Sequence, residues 1–197
     1  ALTSLASTLS RMAMDICLYN SQNFNFIKLP DDLTTGSSIM PHKKNPDVAE
    51  LLRAKTNRMK ALPSEVAFVT SNLPSGYHRD MQILKEILMP AFDSMLECLD
   101  ITRFMLSNIE VKPNLLDDPK YDLMFSVENV NELVNNGVPF REAYKIVGLE
   151  IENGQYEANR SLNHTLEGSI GNLCNEQLQL SMQKVLKEFN FNKVDKA

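Results

Sequence analysis

The sequence predicts an all-α protein, and three observations carry that reading. Apolar residues recur at alternating three- and four-residue steps in long stretches. Start and stop signals such as Asn45-Pro46-Asp47, Asn136-Gly137 and Asn153-Gly154 bracket such stretches. No segment shows a convincing two-residue alternation of the kind a half-buried strand requires.

Leu2, Leu5, Leu9, Met12, Ile16 and Tyr19 form the first stripe and predict a helix over about 2–21, packed along a bundle. Residues 22–45 break the period, punctuated by Pro30, Asp31-Asp32, Gly36 and Pro41. A long polar loop between helices is a frequent place for function. Asn45-Pro46-Asp47 then reads as a helix start, with Asn45 as N-cap and Pro46 in the first position. Val48, Leu52, Met59, Leu62 and Val66 continue that helix's buried face, with a kink expected at Pro63. After a turn near 72–76, Met81, Leu84, Leu88, Ala91, Met95 and Cys98 predict a third long helix to about Ser107, bent at Pro90.

The prolines and acids from Lys112-Pro113 to Asp118-Pro119 mark a boundary. It divides a bundle segment, 1–111, from a smaller C-terminal helical domain, 112–197. Shorter helices are expected there over about 121–135, 139–153 and 175–189, with a weaker one near 164–172.

Composition narrows the function. A net charge of −5 with no basic cluster argues against a nucleic-acid face. No run of about 18 apolar residues offers a membrane span, and the first helix lacks the pattern of a signal peptide. Cys17, Cys98 and Cys174 are far apart and odd in number, which favours buried thiols in a reducing cytoplasm. His42, His78 and His164 are isolated and form no metal-ligand spacing, so no metal is expected. His164 reads as a surface or capping residue. Ala1 opens directly into helical pattern without an initiator Met, which suggests a fragment.

The most informative stretch is Gly36-Ser37-Ser38-Ile39-Met40-Pro41-His42-Lys43-Lys44-Asn45-Pro46. Two hydroxyls, two cations and an amide sit on a glycine-flanked loop that enters a helix N-terminus. Such a loop favours an anion. The same residues also read as ordinary loop chemistry, with solvated lysines and a capped helix.

The whole string, however, resembles the signature G-S-S-x-M-P-x-K-x-N-P of the fumarase/argininosuccinate lyase superfamily at every fixed position. That resemblance implies elimination of fumarate from a succinyl-bearing substrate, without a cofactor. It implies Ser37 as the base, Lys43 as the cation facing the developing charge, and Asn45 as a donor to the same carboxylate. A serine is a poor base unless its alkoxide is favoured; Lys43, loop amides and the helix start are expected to do this together. Ser38 serves either as a substrate contact or as a loop hydrogen bond. The loop is expected to be mobile and to close over substrate.

Within the superfamily, Leu73-Pro74-Ser75-Gly76-Tyr77-His78-Arg79-Asp80-Met81-Gln82-Ile83-Leu84-Lys85 resembles the argininosuccinate lyase pattern L-P-x-x-Y-x-x-D-x-Q-x-x-K. The resemblance implies that Tyr77, Gln82 and Lys85 contact substrate. Taken without it, these residues read as a solvated helix start with an exposed lysine. Phe26-Ile27-Lys28-Leu29-Pro30-Asp31 and Gly137-Val138-Pro139-Phe140-Arg141-Glu142-Ala143 are similar to this family as well. Tyr144, where relatives often have His, and a tail without a glycine-rich ending are departures. The general acid is expected outside this chain. The resemblance further implies a homotetramer whose active sites combine three subunits, with argininosuccinate as the small-molecule partner. Adenylosuccinate lyase, a crystallin-like structural protein and a bare oligomerisation module are the competing readings.

Overall fold

The computed structural model describes residues 1–162 and 164–189. Residue contacts divide the chain into two units, Ala1–Leu115 and Leu116–Ala197.

Unit 1 is built on helix α1 (Leu2–Asn20) packed against α2 (Asp47–Met59). Ser10 Oγ donates to Asn57 Oδ1 at 2.7 Å, and Arg53 Nη1 lies 3.0 Å from Met14 Sδ. A later residue on one helix meets an earlier one on the other, so the two run antiparallel. Ala6 and Ala13 of α1 and Ala49 of α2 are fully buried, and such small side chains let the helix backbones approach closely. The buried face of α1 is Ala6, Leu9, Ala13 and Ile16. It is rotated from the expected stripe, for Leu5 and Tyr19 are exposed while Leu9 and Ile16 are common to both. The leucine spacing hid the alanines, which carry the closest packing.

A continuous, kinked second helix is not what forms. α2 ends at Met59, and α3 (Leu62–Thr70) begins with Pro63 in its first turn. Proline has no N–H to return to the Met59 carbonyl, so the ladder breaks instead of bending. The long helix α4 (Ile83–Asn108) contains Pro90 and buries Ala91, Met95, Cys98, Thr102 and Met105. A single 3-10 turn, Arg79–Gln82, leads into it. Of the buried α4 side chains, Met95, Cys98 and Met105 join Leu9, Ile16, Leu29, Leu33, Leu52 and Met59 in one core.

Two short strands also form, where none was expected. β1 (Ile27–Lys28) pairs antiparallel with β2 (Glu110–Val111), Ile27 opposite Val111. Two residues are too few to show a periodicity. The pairing ties the chain after α1 to the end of α4 and buries Ile27.

Unit 2 contains α5 (Ser126–Asn135), α6 (Phe140–Glu152) and α7 (Asn175–Glu188), with a 3-10 segment, Pro119–Phe125, before α5. Val130, Ala143 and Val147 make its small core. Asn129 fastens the irregular segment after α6: its Oδ1 accepts from the Asn159 amide at 2.9 Å, and its Nδ2 donates to the Glu157 carbonyl at 2.8 Å. The Tyr156 hydroxyl lies 3.2 Å from the same Oδ1 and 3.1 Å from the Asp122 carbonyl oxygen. Partial burial raises the Tyr156 pKa above its ordinary value. His164, expected as a surface or capping residue, is half-buried with Nε2 2.7 Å from Glu128 Oε1 on α5. No helix occupies 164–172. The chain there turns tightly, with Gly168 and Gly171 at positive φ and the Gly168 amide bonded to the Asn172 carbonyl.

Candidate active site

The loop expected to carry the chemistry leaves and rejoins unit 1 at one place. Thr35 and Asn45 exchange both backbone hydrogen bonds, at 3.0 and 2.8 Å, in an isolated antiparallel bridge. Asn45 is therefore not the cap of α2. Its backbone is held by Thr35, its side chain makes no cap bond, and the Pro46 carbonyl accepts the first helical bond from Glu50 at 3.0 Å. The helix begins at Asp47, whose Oδ1 is shielded from solvent without a hydrogen-bond partner.

Within the loop, Ser37 Oγ accepts from the amides of Ile39 and Met40, each at 3.2 Å. Serine often bonds the backbone two and three residues ahead. Two N–H dipoles aimed at one oxygen also favour negative charge on it. A tight turn follows, closed by the Lys43 amide on the Met40 carbonyl at 3.1 Å, with Pro41 second in the turn. Proline presets the backbone angle that position requires. Ser38, Lys43 and the loop-tip residue Ile39 are exposed, Ile39 to 87%.

Lys44 hydrogen-bonds Asp31, and this bond together with the lysine's charge holds the Asp31 carboxyl below its ordinary pKa. The two lie on the arms that enter and leave the loop. Among the described residues the Lys43 side chain makes no hydrogen bond or ion pair.

The second group lies at the start of α4. Gln82 Nε2 donates to the Tyr77 hydroxyl oxygen, across the 3-10 turn that His78 opens in extended conformation. The Tyr77 proton stays available to a ligand. Lys85 is exposed in the first turn of α4 and pairs with no described residue. No hydrogen bond or ion pair among the described residues joins this group to the loop. The cavity of about 290 Å³ between α2, α3 and α4, lined by residues such as Arg58, Glu65 and Glu86, contains none of the seven candidates. The structure thus brings Ser37 to the loop amides and Gln82 to Tyr77, and leaves Lys43 and Lys85 unpaired among the described residues. Asp31 and Lys44 had escaped the sequence reading. Thirteen positions separate them, and only their opposite charge on the two arms of one loop hints at the pair.

A family profile described as Lyase matches residues 1–60. Argininosuccinate lyase of Parabacteroides distasonis is 54% identical over all 197 residues, and that of Bacteroides fragilis 53%. Over its whole length the chain matches argininosuccinate lyases. It spans 44% of the length of either relative. The argininosuccinate lyase of Clostridium tetani is 43% identical over 141 residues, covering 71% of this chain and 32% of the relative. Among solved structures, EDDS lyase in complex with formate superposes with a TM-score of 0.64 at 21% identity, over 78% of this chain and 31% of that one. The 3-carboxy-cis,cis-muconate lactonizing enzyme of Pseudomonas putida gives 0.61 at 20% identity, over 78% and 35%. At such identities the likeness bears on the fold alone, which both share with the mainly helical chain described here.

Proposed function

We propose that this chain is the part of an argininosuccinate lyase that carries the reacting loop, and that the whole enzyme splits argininosuccinate into arginine and fumarate. The observation that carries the reading is the Ser37 hydroxyl, which receives two backbone amides in a loop that also bears Lys43 and Asn45. Those amides favour the alkoxide that a serine base needs. Ser37 Oγ takes the proton from the carbon next to a substrate carboxylate. The electron pair moves into that carboxylate, and Lys43 and Asn45 stabilise the resulting aci-carboxylate. Its collapse forms the C=C bond of fumarate and breaks the C–N bond. The leaving nitrogen takes its proton from a general acid outside this chain. Ser38, Tyr77, Gln82 and Lys85 bind substrate, Lys85 as the partner of a carboxylate and Tyr77 as a neutral donor.

In this reading residues 1–111 belong to a central helical bundle and 112–197 form a small C-terminal domain. The enzyme is a homotetramer with sites shared between subunits, and it acts in cytoplasmic arginine biosynthesis without a cofactor. Two features support sharing. Among the described residues, no hydrogen bond or ion pair joins the loop to the Tyr77 group. Apolar side chains such as Leu51, Phe68, Met89 and Leu96 also stand exposed on the helices of unit 1.

Fumarate release from argininosuccinate, followed by ultraviolet absorbance, tests the reading on the full-length protein. Ser37→Ala is expected to lower kcat by about two to four orders of magnitude, the range of a general base. Release from adenylosuccinate instead, or a fully active Ser37→Ala, would overturn it.

A further inference from the structure

We infer that the Asp31–Lys44 ion pair positions the reacting loop by deciding which of two adjacent lysines faces substrate. The inference rests on the lyase reading above and deepens it. Lys43 and Lys44 carry the same charge on the same arm, and their chemistry alone does not distinguish them. The fold does. The two-bond bridge between Thr35 and Asn45 fixes the arm where it returns, one residue after Lys44. Lys44 turns to Asp31, whereas among the described residues the Lys43 side chain has no hydrogen bond or ion pair.

Asp31 opens the 3-10 turn Asp31–Leu33, which buried Leu29 and Leu33 anchor in the core of unit 1. The lysine is thus tied to a fixed part of the molecule. Lys28 is the other cation near Asp31, but its Nζ lies 4.0 Å from Glu110 on the paired strand. Occupied by Asp31, Lys44 is withheld from the site, and Lys43 is left without a partner among the described residues. Both members of the pair are exposed, so the pair adds little to stability. Its effect is one of direction, and misdirection of a reacting group is costly to turnover.

The test compares Asp31→Lys, Lys44→Asp, the charge-reversed double variant and Asp31→Glu in the full-length protein. Each single reversal is expected to make the Thr35 and Asn45 amides exchange about two- to fivefold faster, as for loss of a surface pair. The same variants are expected to lower kcat about tenfold or more with little change in KM. The double variant and Asp31→Glu are expected to recover both within about threefold. Single variants with wild-type exchange and kcat would overturn the inference. So would a double variant as slow as Lys44→Asp alone, since Lys44 would then itself meet substrate. A wild-type protein that releases no fumarate from argininosuccinate defeats the lyase reading instead. The exchange measurement needs no substrate and still decides whether the pair holds the arm.

Discussion

At the scale of single residues, the loop converts ordinary turn chemistry into a charged arrangement. Ser37 uses a hydrogen-bonding habit that serines show in many turns, and two backbone amides converge on its oxygen, the base of the proposed reaction. Asp31 makes the loop sensitive to acid. Lys44 depresses the Asp31 pKa, and a depressed carboxyl contributes stability above its unfolded-state value and loses it as pH falls through the lower folded value. The Thr35 and Asn45 amides should therefore keep constant protection from neutral pH down to about pH 4, near the unperturbed aspartate value. Below that they should exchange progressively faster. Amide exchange against pH, corrected for intrinsic rates, checks this, and a loss of protection beginning near neutrality would contradict it.

At the scale of elements, the site depends on helix pairs whose packing can be disturbed one side chain at a time. Leu52 of α2 is 2% exposed, in the same core as Leu9, Met59 and Met105. Leu52→Ala is expected to destabilise unit 1 by about 2–5 kcal/mol, the cost of a large-to-small change in a packed core. Denaturant unfolding reads this, and a loss under about 1 kcal/mol would mean that the site collapses without a cavity. In unit 2 the corresponding fastener is polar. Asn129→Ala removes the acceptor of the Asn159 amide and the donor to the Glu157 carbonyl. A loss of about 1–3 kcal/mol is expected, together with faster exchange at Asn159. Unchanged exchange there would show that the segment is held by other contacts, such as His164 on Glu128.

At the scale of the molecule, the chain exposes more apolar surface than a lone domain usually leaves uncovered. Phe68 is 78% exposed, and α7 buries none of its side chains, Leu178, Met182 and Val185 included. The isolated 197-residue chain is expected to self-associate as its concentration rises and to show no turnover of argininosuccinate. Light scattering after size exclusion and the fumarate assay check the two points. A stable monomer with measurable turnover would contradict both the shared-site reading and the need for a general acid from elsewhere.

The helices, and the residue types that make the loop a candidate site, were legible in the sequence because both rest on local rules. The stripes at Leu9, Ile16, Met95 and Cys98 follow helical periodicity, and Gly36 to Pro46 is a contiguous string whose residue types name a reaction by resemblance. Boundaries were legible only in part. Pro63 signalled a disturbance, but whether it bends a helix or ends one depends on how α2 and α3 pack. Asn45 looked like a cap because caps are local, and its actual role depends on Thr35, ten residues away across a loop. The burial of Ala6, Ala13 and Ala49, the β1–β2 pairing, and the choice of Lys44 by Asp31 were decided by tertiary structure. Each joins residues far apart in the chain, and no periodicity encodes a contact that exists only once two arms have been brought together.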